Sequence, residues 1–322
     1  MDVFVTRKIP EKGLNMITDR YDVELNPESR RLTKEEIMEG VKGKRALLCT
    51  LIDVIDRDII DSGTDLEVIS NYAVGYDNID VEHATKKGIP VTNTPGVLTD
   101  ATAELTMGLM LAVARNIPLG DRFVREDRFQ GWDPMLMVGS ELRGKTLGVI
   151  GMGNIGQAVS KIARGFGMNI IYHNKSKVTK IEKELDARFV DVPELLESSD
   201  FVTLHVPLTE DTRNMIGRDE LEIMKDTAFL INTARGGVVD EDALIEALRD
   251  KTIAGAAVDV FANEPFGANP GYYHLENVVL APHLGSASVR AREGMAVTAA
   301  ENLIAVLEGD IPDNVVNPEV LH

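Results

Sequence analysis

The chain has 322 residues, 44% of them hydrophobic, with 52 acidic against 34 basic side chains and a net charge of -18. That length suits two domains of ordinary size better than a single core. A field this negative repels nucleic acid and anionic membrane, excluding both as expected partners, and leaves a small anionic substrate in need of local positive groups.

Strand-like and helix-like segments alternate from the N-terminus, the pattern of a parallel sheet with helices on both faces. Strands are predicted at 3–6, 22–25, 46–51, 67–70 and 90–92, and Thr33 with Glu36 fits a capping box that opens a helix. Cys49, the only cysteine, lies in the apolar run 46–52, so no internal disulfide is expected. A buried strand residue fits that run better than a nucleophile. Residues 100–115 read as a strongly apolar helix, interrupted near Pro118 and resumed to about 126. A second alternating series places strands at 146–150, 169–172, 201–204, 228–232, 253–258 and 278–280, and a last helix spans 288–308. No apolar run approaches transmembrane length and the N-terminus carries no signal-type segment, so a cytoplasmic location is expected.

The most informative stretch is Lys145-Thr-Leu-Gly-Val-Ile-Gly-Met-Gly-Asn-Ile-Gly156. A short apolar strand leads into Gly151, Gly153 and Gly156, spaced G-x-G-x-x-G, and apolar residues follow at helical spacing. The first glycine permits the tight turn, the second lets backbone approach a pyrophosphate, and the third lets helix pack on strand. Helix-terminal N–H groups, from Asn154 and Ile155 onward, would face the phosphates. Because this motif starts mid-chain, the expected α/β architecture is two doubly wound parallel-sheet (Rossmann/flavodoxin-like) domains. A dinucleotide-binding domain at 100–287 would be inserted into a substrate domain built from 1–99 and 288–322.

Three later strands run into loops carrying Arg235, Glu264 and His283, at the sheet edge where open α/β folds bind ligands. Taken singly, Arg235 also reads as a surface cation, Glu264 as a loop carboxylate and His283 as a satisfied polar residue beside Pro282. Together they supply a carboxylate anchor, a proton donor and a group that holds the donor. No metal is expected.

On these residues the chain resembles the D-isomer-specific 2-hydroxyacid dehydrogenases over essentially its whole length. The motifs are Asn71-Tyr-Ala-Val-Gly-Tyr-Asp-Asn-Ile-Asp80, Thr92-Asn-Thr-Pro95, the glycine motif, Asn232-Thr-Ala-Arg-Gly236, Asp259-Val-Phe-Ala-Asn-Glu-Pro265 and Ala281-Pro-His-Leu-Gly-Ser-Ala287. Within that family it looks most like the glyoxylate/hydroxypyruvate reductases. The resemblance implies that His283 protonates the carbonyl oxygen of a small 2-oxo acid as hydride arrives from a nicotinamide, and acts as base in reverse. Glu264 would hold the imidazole and favour its protonated form. Arg235 would bind the oxo acid and lie against the cofactor, with the Val74 and Gly75 amides gripping the carboxylate from the other domain. Asp259 would meet the carboxamide, and Val206, Pro207, Thr233, Ala234 and Gly285 would line the dinucleotide. Plain packing explains these last positions nearly as well.

A site for NAD usually ends its second strand with an acid that binds the ribose hydroxyls. The corresponding position here is Asn174, followed by Lys175, Ser176 and Lys177. Asn174 does not repel a 2′-phosphate and the next residues can donate to it, so NADP is the preferred cofactor and NAD the alternative. Glu264 argues against a formate-dehydrogenase-like site, Val74 against a phosphite-dehydrogenase-like one, and the end of the chain at His322 against phosphoglycerate dehydrogenase. A 2-ketogluconate reductase, a D-lactate dehydrogenase and a non-enzymatic dinucleotide-sensing regulator remain as alternatives. The resemblance also implies a homodimer through the 100–115 helix, whose Leu105, Leu109 and Met110 are expected to exceed what one subunit buries. Trp132, the only tryptophan, would then stand beside the partner's substrate pocket or, equally, anchor a loop in its own subunit.

Overall fold

The structure is a computed structural model that describes residues 1–28, 30–264 and 267–321. It divides into two compact units, one made of residues 1–98 with the stretch from 287 onward, the other of residues 99–286. The second unit is therefore an insertion in the chain of the first.

The first unit holds a five-stranded parallel sheet of β1 (Val3–Val5), β2 (Val23–Leu25), β3 (Ala46–Thr50), β4 (Val68–Tyr72) and β5 (Val91–Thr92), in the order β2-β1-β3-β4-β5. That is the flavodoxin-like order. β1, β3 and β4 are buried at every residue, which is why they read as continuous apolar runs instead of alternating ones. The Thr33 capping box forms: the Glu36 amide donates to Oγ1 of Thr33 at 3.2 Å and the Thr33 amide donates to Glu36 at 2.8 Å. Helices Glu11–Thr18 and Val289–Leu307 pack so closely that a Cβ on Gly13 would lie 2.2 Å from the Ala296 carbonyl oxygen. Cys49 is wholly enclosed in β3, and burial pushes its thiol pKa up.

The second unit holds seven parallel strands: β6 (Thr146–Ile150), β7 (Asn169–His173), β8 (Arg188–Phe189), β9 (Phe201–Leu204), β10 (Phe229–Asn232), β11 (Gly255–Val258) and β12 (Val278–Leu280). Their order, β12-β11-β10-β9-β6-β7-β8, is the Rossmann order with one strand added at the edge. The order reverses between β6 and β9, where ligands bind in open sheets of this kind. Helix Thr99–Ala114 packs against helix Asn154–Gly165 over Leu147 and Val149. Full burial of each such aliphatic side chain contributes about 1.5–3 kcal/mol. Among the described residues no helix is long and apolar enough to cross a membrane.

Two expectations are corrected. The predicted strand series omits β8, because two residues carry no readable periodicity. The interruption expected near Pro118 falls at Asn116, left-handed at φ 55°, with Pro118 in the first turn of the next helix, Ile117–Arg125. Proline is tolerated there because those N–H groups have no helical partner. Leu109 and Met110 face the core of their own unit, and Leu105 packs against it, so the long helix does not supply the unsatisfied apolar surface.

Candidate functional site

The register Ile150↔Leu204 sets the glycine turn after β6 beside the end of β9. Gly151 adopts φ 98°, and a Cβ there would fall 2.6 Å from the carbonyl group of His205 and 2.9 Å from the Val206 amide. A Cβ on Gly156 would lie 2.0 Å from the Gly151 carbonyl oxygen, so the helix meets the strand only because the side chain is absent. Gly153 faces open space and caps helix Asn154–Gly165 with no side-chain bond. The first helical bond there runs from the Gln157 amide to the Gly153 carbonyl, which leaves the amides of Asn154, Ile155 and Gly156 with no helical acceptor. Open space over a bare helix N-terminus fits a pyrophosphate.

At the end of β7, Oδ1 of Asn174 accepts from the Met152 amide at 3.2 Å and its Nδ2 donates to the Ser176 carbonyl at 3.0 Å. Asn174 thus ties the segment after β7 to the glycine turn, with Lys175 and Ser176 exposed beside it. Lys177 lies over the Phe189 ring, 5.6 Å from its centroid. His205 is half-buried, with Nε2 3.0 Å from Oγ1 of Thr203, and burial lowers its pKa to about 3. Pro207, next but one along, is exposed, and its carbonyl accepts from Thr212.

The remaining chemistry gathers at the ends of β10, β11 and β12. Their register aligns Asn232 with Val258 and Val258 with Leu280. Arg235 and His283 therefore each stand three residues past an aligned position (232 to 235, 280 to 283). Asn232, which the sequence reading did not single out, shapes the first loop: its Nδ2 donates to the Arg235 carbonyl and its Oδ1 accepts from the Ala234 amide. Arg235 donates to the Ala234 carbonyl at 2.9 Å, among other interactions. A Cβ on Gly236 would lie 2.0 Å from the Phe261 carbonyl carbon, so the Arg235 loop packs directly on the backbone that leads to Glu264.

Glu264 turns back on that backbone, accepting from the Phe261 amide at 2.8 Å through Oε1 and meeting Nδ1 of His283 at 2.6 Å through Oε2. The contact to Nδ1 leaves Nε2 as the ring nitrogen not engaged by Glu264. His283 itself is left-handed, φ 54°, a conformation uncommon for residues other than glycine. Asp259 holds it there. Asp259 accepts from the His283 amide with its carbonyl, and its carboxylate takes the Leu284 and Gly285 amides at 2.7 and 2.8 Å. Burial raises the Asp259 pKa while these amides lower it. Thr233 is buried with its hydroxyl 2.9 Å from that of Thr106. Among the described residues no group of three or more His, Cys, Asp or Glu is placed to hold a metal.

Residues 107–285 match the family described as D-isomer specific 2-hydroxyacid dehydrogenase, NAD binding domain. A protein named glyoxylate reductase from Thermococcus litoralis is 51% identical over 99% of this chain and 97% of its own length. The chain belongs to the D-isomer-specific 2-hydroxyacid dehydrogenase family. Among solved structures, a Thermus thermophilus protein superposes with a TM-score of 0.91 at 44% identity, covering 98% of this chain and 100% of its own. An NADPH-dependent glyoxylate/hydroxypyruvate reductase from Sinorhizobium meliloti, solved with NADP and malonate, gives 0.86 at 32% identity, covering 98% and 96%.

Two groups of predicted residues of this dehydrogenase lie on other segments than the β10–β12 loops. Val74 and Gly75 belong to the first unit, on the loop after β4. Trp132 belongs to the second, on an excursion from 116 to 139 fastened at its base, where the Ser140 amide donates to the Ala114 carbonyl and Asn116 donates to the Met137 carbonyl. Helix Ile117–Arg125 within it buries no residue, and Trp132 is 85% exposed. Trp132 therefore anchors nothing in its own subunit. Pro265, which closes the 259–265 motif, lies outside the described residues.

Proposed function

We propose that this dehydrogenase reduces glyoxylate to glycolate and hydroxypyruvate to D-glycerate, with NADPH preferred and NADH the alternative. The observation that carries the chemistry is the His283–Glu264 pair, held by Asp259 at the edge of a dinucleotide-type sheet. When bound, the dihydronicotinamide supplies hydride to the carbonyl carbon. His283 gives the Nε2 proton to the carbonyl oxygen in the same step, and the neutral imidazole regains a proton from solvent. Arg235 binds the acid and draws electron density from its carbonyl. The amides of Val74 and Gly75 hold the carboxylate, the first unit acting as substrate domain and the second as cofactor domain. In the second unit Val206, Pro207, Thr233, Ala234 and Gly285 line the dinucleotide, and Asp259 faces the carboxamide as well as holding its loop.

NADP preference is supported by the missing acid after β7 and by Lys175 and Ser176 exposed beside Asn174. The names of the Thermococcus and Sinorhizobium relatives support the substrate. A homodimer is supported by the unburied helix Ile117–Arg125 and by the exposure of Phe129, Trp132, Met135 and Val138 beyond it. A cytoplasmic location is part of the same reading. Turnover of glyoxylate, hydroxypyruvate, pyruvate and 2-ketogluconate with each reduced cofactor tests the reading. Fastest reduction of the first two with NADPH is expected; no turnover of any would instead favour a dinucleotide-sensing regulator.

A further inference from the structure

The loop after β4 presents three consecutive peptide carbonyls to three donors. The Ala73 carbonyl accepts from the Thr94 amide at 2.9 Å, that of Val74 from Nδ2 of Asn93 at 2.7 Å, and that of Gly75 from Nδ2 of Asn71 at 2.8 Å. Each donor is itself fixed. Asn71 is fully buried and also donates to Oδ1 of Asn78, whose own amide nitrogen donates to the carbonyls of Thr50 and Asp53. The backbone of Asn93 is held on both sides, its amide by the Asn314 carbonyl and its carbonyl by Nδ2 of Asn302.

In a trans planar peptide the N–H points opposite to the C=O of the same unit. Pinning the carbonyls of Ala73, Val74 and Gly75 therefore aims the N–H groups of Val74, Gly75 and Tyr76 away from Thr94, Asn93 and Asn71 respectively. None of these three N–H groups has a hydrogen-bond partner among the described residues. We infer that Asn93 is a positioning residue: by pinning the Val74 carbonyl it holds the Gly75 amide, beside the Val74 amide set by Thr94, in the orientation that grips the substrate carboxylate. The inference rests on the function proposed above, which assigns that grip to these amides. A free loop would have to be ordered by the substrate on binding, whereas here the ordering is already complete.

The test uses Asn93→Asp, which removes the donor and sets an oxygen against the Val74 carbonyl, and Asn93→Ala, which removes it without adding charge. KM for glyoxylate and the inhibition constant of oxalate should both rise about tenfold or more, the loss expected from a weakened hydrogen bond to a charged group. The value of kcat and the affinity for NADPH should stay within about twofold. Unchanged KM and oxalate inhibition in a folded variant would overturn the inference, as would kcat and NADPH affinity falling in step with KM. Hydrogen exchange on the wild-type protein keeps the inference falsifiable even if neither variant folds, because it tests the grip on which the inference stands. Oxalate with NADPH should slow exchange at Val74 and Gly75, and no slowing overturns the inference. A wild type that fails to reduce glyoxylate sinks the proposed function alone, because oxalate protection still reports on the amides.

Discussion

Nδ1 of His283 stands 2.6 Å from Oε2 of Glu264, and the second Glu264 oxygen is taken by the Phe261 amide, so the carboxylate cannot rotate away from the ring. The imidazole is thereby fixed with Nε2 outward. His283→Ala is expected to lower kcat for glyoxylate reduction by about 10²–10⁴, the usual contribution of a positioned proton donor. NADPH binding, followed by cofactor fluorescence, should be unaffected. Glu264→Gln keeps the shape but removes the charge, and should lower kcat by about 10²-fold. Wild-type kcat in Glu264→Gln would refute the pairing as a working element.

Asn174 bridges the glycine turn and the segment after β7, and Asp at that position could still accept from the Met152 amide. Asn174→Asp is therefore expected to fold normally while placing a charge against a 2′-phosphate. Its affinity for NADPH should weaken, relative to NADH, by about 1–2 kcal/mol. Fluorescence titrations with both cofactors measure the difference, and a wild type that prefers NADH would defeat the argument at once.

The exposed excursion gives a prediction about association. The wild-type protein should sedimentate as a dimer, and replacing Val124 and Trp132 together by Ser should shift it towards monomer. Trp132→Ala alone should raise KM for the oxo acid and spare cofactor binding. Co-expression with a His283→Ala chain separates supply in trans from supply in cis. In trans, the site with an intact His283 takes its tryptophan from the His283→Ala chain and keeps near-normal KM. A raised KM at that site would mean the tryptophan serves its own subunit.

His205 gives a pH prediction. Burial lowers its pKa from 6.5 to about 3, so the folded protein holds it neutral while the unfolded chain takes up a proton below about pH 6.5. Its contribution to stability is complete above pH 6.5 and is lost as pH falls towards 3. The slope for one such group is at most about 1.4 kcal/mol per pH unit, less here because the ring is only half-buried. His205→Gln should flatten the fall of melting temperature between pH 6.5 and pH 4. An identical acid profile in wild type and variant would count against a neutral, enclosed imidazole.

Much of this fold is legible in the sequence because buried parallel strands leave uninterrupted apolar runs. The predicted bounds of β6, β9 and β12 coincide with those observed; polar or turn-forming residues close β6 and β9 on both sides, and Asn277 and Pro282 bracket β12 with Ala281. β8 has no readable pattern because it is two residues at a sheet edge. Arg235, Glu264 and His283 are legible from chain position, since each lies within six residues of a strand end. What supports them is not. Asn232, Asn71 and Asn93 act through backbone carbonyls and amides of residues two to nineteen positions away, and a carboxamide looks alike in sequence whether it caps, bridges or faces solvent. The excess apolar surface was assigned to the long helix, but Leu109 and Met110 turn inward and the exposure lies further along the chain. Total hydrophobicity does not reveal which way a helix faces when it is apolar on most of its circumference.

Cys49 and Trp132 are each the only residue of their type, and they lie in different units with opposite exposure. The protein therefore carries two built-in reporters that need no engineering. A thiol-reactive dye can reach Cys49 only when the first unit opens, so its labelling rate times that opening. Indole emission from Trp132, already in water, is silent to the same event and responds to whatever covers the excursion. Followed together in denaturant, the two signals tell whether the excursion is uncovered before the first unit opens or together with it.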